Sequence, residues 1–130
     1  MAEVVELAYI TVVETRSFIE DAAGCFTEEE RTEFIEYIAR NPTAGVVVPG
    51  AGGVRKVRWR ARGRGKRGGA RVVYFFHNER VPLFLLAAYA KSQRVDLAPA
   101  QRTAMRRIAA EIVKQYAAVP APHRTRRPNE

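Results

Sequence analysis

Lys56, Arg58, Arg60, Arg62 and Arg64 recur at every second position, with Val57, Trp59 and Ala61 between the first four of them. Alternate residues of a strand share one face, so this spacing predicts a row of cations along one side of a sheet, about 7 Å apart. Successive phosphates of an extended nucleic-acid strand are spaced similarly. Lysine and arginine also guard edge strands against aggregation. Five cations without one acid exceed that need, because mixed signs would serve as well and repel less. Between Arg55 and Arg71 the chain holds nine Lys or Arg residues and no Asp or Glu. Arg55, Arg60, Arg62, Arg64, Lys66 and Arg67 are therefore candidate contacts for an RNA backbone.

Other chemistry is scarce. Gly63, Gly65 and Gly68 match the dinucleotide-binding spacing, but that motif must follow a strand and open a helix whose N-terminus receives the pyrophosphate. Here it precedes the strand-like run from Val72 to Phe76. Gly65-Lys66-Arg67 lacks the Ser or Thr that a P-loop places after its lysine. A basic hairpin loop is the better reading. His77 and His123 are the only histidines, and no His, Cys or carboxylate cluster has metal-ligand spacing. No cofactor or metal is expected, and any catalytic group must be Lys, Arg or Tyr. One reaction suits that set. RNA cleavage by attack of the ribose 2′-OH needs a base for the hydroxyl, cations for the phosphoryl oxygens and an acid for the leaving 5′-oxygen. A lysine serves as base when neighbouring cations disfavour its protonated form, and Lys56 has Arg55 and Arg58 beside it.

The formal charge of +8 on 130 residues is unevenly placed. Residues 1–41 carry ten acids against three bases, and residues 42–130 carry nineteen bases against four acids. Such a balance points to phosphate-bearing partners. A lone Cys25 allows no internal disulfide. The acidic start is unlike a secretory signal, and no apolar run reaches membrane-spanning length. The expectation is a cytoplasmic protein with no membrane partner, a domain over residues 1–117 and a flexible basic tail over 118–130.

The elements that must position the cations follow from local pattern. Val4 to Val13 reads as a mostly buried strand. Thr15 caps a short helix with Phe18, Ile19, Ala22, Ala23 and Phe26 on one face. Thr27 and Glu30 form a capping box for a second, which Asn41-Pro42 stops. A loop from residue 43 ends in the turn chemistry of Pro49 to Gly53. Three antiparallel strands are predicted at Val54–Ala61, Ala70–His77 and Val81–Ala90, the last being the most apolar and hence the expected sheet centre. A final helix has Pro99 in its first turn and a stripe of Met105, Ile108, Ala109, Ile112, Val113 and Tyr116. The fold class is α+β: a small, curved, mainly antiparallel sheet with two N-terminal helices and one C-terminal helix.

Three runs in order, Gly52 to Trp59, Gly63 to Phe76 and Leu85 to Lys91, resemble the RelE/HigB group of bacterial type II toxins in the RelE/ParE superfamily, nearest its HigB-2-like branch. The resemblance is strong over about residues 50–97. It implies a RelE-like fold and a ribosome-dependent mRNA endoribonuclease that inhibits translation. The implied partners are mRNA, the ribosome and a cognate antitoxin with a helix-turn-helix. Position by position, Lys56 and Arg58 match the paired basic residues of the family's second strand, Arg71 the phosphate-binding arginine of the third, and Lys91 the basic residue ending the fourth, an acid or phosphate ligand. Ser92 stands where RelE itself has a further arginine, and no tyrosine near Leu97 matches its C-terminal one. The alternative reading is a noncatalytic RNA- or ribosome-binding domain of the same fold. Duplex DNA ranks third, because no helix offers a basic recognition face.

Overall fold

A computed structural model describes residues 9–61, 69–92, 97–117 and 124–125. In chain order the elements are β1 (Tyr9–Ile10), β2 (Val12–Glu14), α1 (Arg16–Cys25), α2 (Glu28–Arg40), β3 (Val46–Val47), β4 (Val54–Trp59), β5 (Ala70–Phe75), β6 (Leu83–Ala90), α3 (Pro99–Gln115) and β7 (Arg124–Thr125). The fold is small and α+β, as the sequence pattern predicts.

The helix starts are set by local chemistry. The Thr15 hydroxyl accepts the Phe18 N–H at 3.2 Å. At α2 the box is reciprocal: Thr27 Oγ1 accepts from Glu30 N at 3.1 Å and Glu30 Oε1 from Thr27 N at 3.0 Å. Glu28, Glu29 and Glu30 occupy its first turn and Arg40 its last, both favourable to the helix dipole. The α2 helix stops at Asn41, whose N–H returns to the Ile38 and Tyr37 carbonyls just before Pro42.

One sheet runs β2-β6-β5-β4-β3, antiparallel throughout except for the parallel pair β2–β6. Its centre is β5, where the apolar run of β6 had been expected. All six residues of β5 are buried: Val72 and Tyr74 face a core with Phe18 and Ala22 of α1 and Phe34 and Ile38 of α2, while Val73 and Phe75 face Ala109 and Ile112 of α3. Coverage by helices on both sides, rather than length of apolar sequence, selects the central strand. The β6 strand is also interior, but β2 accompanies it only over Leu83–Leu85. Beyond that point its outer edge is met by side chains. Thr15 Oγ1 donates to the Leu85 carbonyl at 2.8 Å, and Asp21 Oδ2 accepts the Ala88 N–H at 3.0 Å.

Several boundaries differ from expectation. The β4 strand ends at Trp59 rather than Ala61, because the Trp59 ring turns onto Phe34 and Tyr37 of α2, with centroids 5.4 and 5.0 Å away. The expected first strand divides at Thr11 into β1 and β2, and its residues before Tyr9 lie outside the described set. The loop after α2 contains β3, in register with Arg55 and Lys56. Within the segment expected to trail as a tail, Arg124 and Thr125 pair antiparallel with Ile10 and Tyr9. No described helix is long and apolar enough to cross a membrane.

Candidate phosphate-binding cleft

The register of the three long strands sets the site. Arg58 of β4 lies opposite Arg71 of β5, and Arg71 opposite Tyr89 of β6. One row along, Lys56 lies opposite Val73. Lys91 follows the end of β6, where its N–H still donates to the Gly69 carbonyl at 3.1 Å. These residues share the sheet face that α3 packs against, but α3 covers the end holding Val54, Val73 and Phe75. The uncovered end is a cleft of about 530 Å³ lined by Lys56, Arg58, Arg71 and Lys91, with Ala44, Val46 and Val57 as its apolar wall. The four residues that the resemblance named are thus brought together from three strands.

Arg71 is the buried charged side chain of the described residues, at 8% exposure. Its Nη1 is buried with no hydrogen-bond partner among them. Burial, and then the neighbouring Arg58 cation, lower its pKa from the ordinary arginine value, with Tyr89 acting in the opposite sense. A guanidinium remains charged nonetheless. Two like charges directly opposite on a sheet destabilise it by roughly 0.2–1 kcal/mol. An unpartnered donor beside a second cation can receive an anion, and the planar fork of a guanidinium suits a phosphate.

The wall of the cleft is held from the far side of the sheet. Arg55 does not join Lys56 and Arg58. Its parity turns it away, and its Nη1 donates to the carbonyls of Gly45 at 2.8 Å and Thr43 at 3.3 Å. The buried Tyr74 hydroxyl donates to the Pro42 carbonyl and accepts the Gly45 N–H, both at 2.8 Å. Burial raises the Tyr74 pKa above the ordinary value, opposed by the Gly45 N–H and Arg55. A Cβ at Gly45 would stand 2.8 Å from the Lys56 carbonyl oxygen and 2.8 Å from Tyr74 Cε1, so only glycine fits. Residues 42–45 are therefore stapled to the sheet, which fixes Ala44 and Val46 against Lys56. Sequence reasoning placed Arg55 on RNA and gave Tyr74 and Gly45 no part. The single available signal was the Arg55–Tyr74 cross-strand pair, visible only with the register known.

Arg60 also departs from the expected row. Past the end of β4, it turns to α2 and pairs with Glu33 at 3.4 Å. Arg62, Arg64, Lys66 and Arg67 lie outside the described residues. Among the described residues no group of three or more His, Cys, Asp or Glu could hold a metal ion.

The chain is thus a small α+β domain whose open sheet carries a cationic cleft framed by three strands. The chain matches the family model of the RelE toxin of the RelE/RelB toxin-antitoxin system over residues 32–119. It belongs to the RelE toxin family, and it is accordingly the toxin of a toxin-antitoxin system with a cognate antitoxin as partner. The matched span contains β3 to β6 and all four cleft cations. Toxins of this family are generally mRNA-cleaving endoribonucleases.

Proposed function

We infer that this toxin is a ribosome-dependent mRNA endoribonuclease that halts translation by cutting message in the cytoplasm. The observation that carries the reading is Arg71, buried and with its Nη1 unpartnered among the described residues, in a cleft that it lines together with Lys56, Arg58 and Lys91. Arg58 and Arg71 hold the non-bridging oxygens of the scissile phosphate and stabilise the charge that grows there in the transition state. Lys56 takes the proton of the 2′-OH. The 2′-oxygen bonds to phosphorus, the bond to the 5′-oxygen breaks, and Lys91 supplies the proton that the leaving 5′-oxygen needs. The products are a 2′,3′-cyclic phosphate and a 5′-OH. The antitoxin is a helix-turn-helix protein encoded beside the toxin.

The test is cleavage of a defined message by purified protein, with and without programmed ribosomes, read by mapping RNA ends. Cuts bearing 2′,3′-cyclic phosphate that require ribosomes and vanish in Lys56→Ala and Arg71→Ala support the proposal. Salt-dependent RNA or ribosome binding without any cut would establish the noncatalytic reading instead.

A further inference from the structure

We propose that the hollow at the open edge of β6, between α1 and the start of α3, is a nucleobase site that reads a nucleotide next to the phosphate held by Arg71; this rests on the RNA-cleaving reading of the cleft. The hollow exists because β2 stops at the level of Leu85 and because Ala87 and Ala88 leave its floor small. Tyr89, Leu97 and Met105 form apolar walls, and Ser17, Asp21 and Gln101 bring polar groups to it. Its volume of about 320 Å³ sits at the lower end of the range for small-molecule sites, which suits one ring system.

The lining selects a base over a phosphate. Among the described residues Asp21 is the one charged side chain that lines it, and a carboxylate repels an anion. A base has apolar faces for the walls and hydrogen-bonding edges for the three polar groups. Two of those groups are already oriented. Asp21 Oδ2 accepts from Ala88 N at 3.0 Å and Gln101 Oε1 from Ala98 N at 2.9 Å. Each bond fixes one oxygen and turns the other head-group atom, Asp21 Oδ1 or Gln101 Nε2, into a reading group. With the Ser17 hydroxyl they offer a fixed pattern of acceptors and donors. Tyr89 stands directly opposite Arg71 in the ladder. The hollow's Tyr89 wall is thus one strand spacing, about 5 Å, from the Arg71 backbone, which sets the hollow beside the strand that carries the phosphate ligand.

Asp21→Asn and Gln101→Glu test this, since each keeps the oxygen that satisfies its backbone N–H and changes only the reading group. Cleavage sites on a message pool of random sequence are sequenced for wild type and both variants at one salt concentration. The expected wild-type result is a base preference of about tenfold at one position beside the cut, the discrimination of a modest hydrogen-bonded contact. Each variant should flatten or redirect it. An unchanged preference in both folded variants overturns the base site and leaves the nuclease reading standing. The four nucleosides, titrated at millimolar concentration into ¹⁵N-labelled wild-type protein, give a readout independent of cleavage. Shifts centred on Ser17, Tyr89 and Gln101 support the site, and none with any nucleoside overturns it.

Discussion

Arg71 occupies a position where its residue type weakens the fold. It is buried, faces Arg58 across the ladder and has a nitrogen without a partner. Replacing an uncompensated buried charge by an apolar side chain of similar length is often neutral or stabilising. Arg71→Met should therefore leave the melting temperature equal or higher in a calorimetric scan, while cutting turnover by about 10²–10³-fold, the loss typical of a single oxyanion donor. A variant that lost stability and kept turnover would give Arg71 a purely structural role. Arg60 supplies the contrast. Its pairing with Glu33 is exposed on both sides, so Arg60→Ala should change stability by no more than about 1 kcal/mol and leave cleavage within twofold. The fate of Arg60 was not legible from alternation alone, which put it in one RNA-facing row with Lys56 and Arg58. Alternation tells which residues share a face only while the strand lasts, and β4 ends at Trp59.

At the level of elements, what the sequence revealed was local and what it concealed was tertiary. Thr15, Thr27 with Glu30, Asn41-Pro42 and Pro99 mark helix ends through bonds made within a few residues, and the structure has them where the pattern put them. The parallel pairing of β2 with β6, the central place of β5 and the existence of β3 depend on contacts between distant residues. The β3 strand has two residues, both exposed, and no amphipathic signal. It exists because Tyr74 and Arg55 hold residues 42–45 against the sheet. Tyr74→Phe removes both 2.8 Å bonds and strands the Gly45 N–H and Pro42 carbonyl, a loss of roughly 1–3 kcal/mol in denaturant melts. It should also lower turnover more than RNA affinity, since the wall beside Lys56 loosens while the cations remain. The same hydroxyl gives a pH signature. Its pKa is raised in the folded state, so its stabilising contribution is complete below the unfolded value of about 10 and is lost as pH rises through the folded value. Wild-type protein should lose stability above about pH 10, and Tyr74→Phe should show a shallower decline over that window.

The described residues are electrically two-sided. Ten acids against three bases fall in residues 1–41, whose helices α1 and α2 pack on one face of the sheet, while Lys56, Arg58, Arg71 and Lys91 open on the other. An RNA strand is repelled from the helical face and drawn to the cleft, so the charge orients the encounter as well as strengthening it. If the four cations each neutralise one phosphate, the logarithm of affinity for single-stranded RNA should fall with the logarithm of salt concentration with a slope near −3, at about 0.7 per phosphate. Filter binding over a potassium chloride series measures it. Lys91→Ala should make the slope shallower by about 0.7 with little effect on stability, because Lys91 is exposed. Neutralising the opposite face with Glu28→Gln, Glu29→Gln and Glu36→Gln should leave the slope unchanged, since none of these residues lines the cleft. A slope unmoved by Lys91→Ala, or one that shifts with the glutamine substitutions, would place the RNA path elsewhere on the surface.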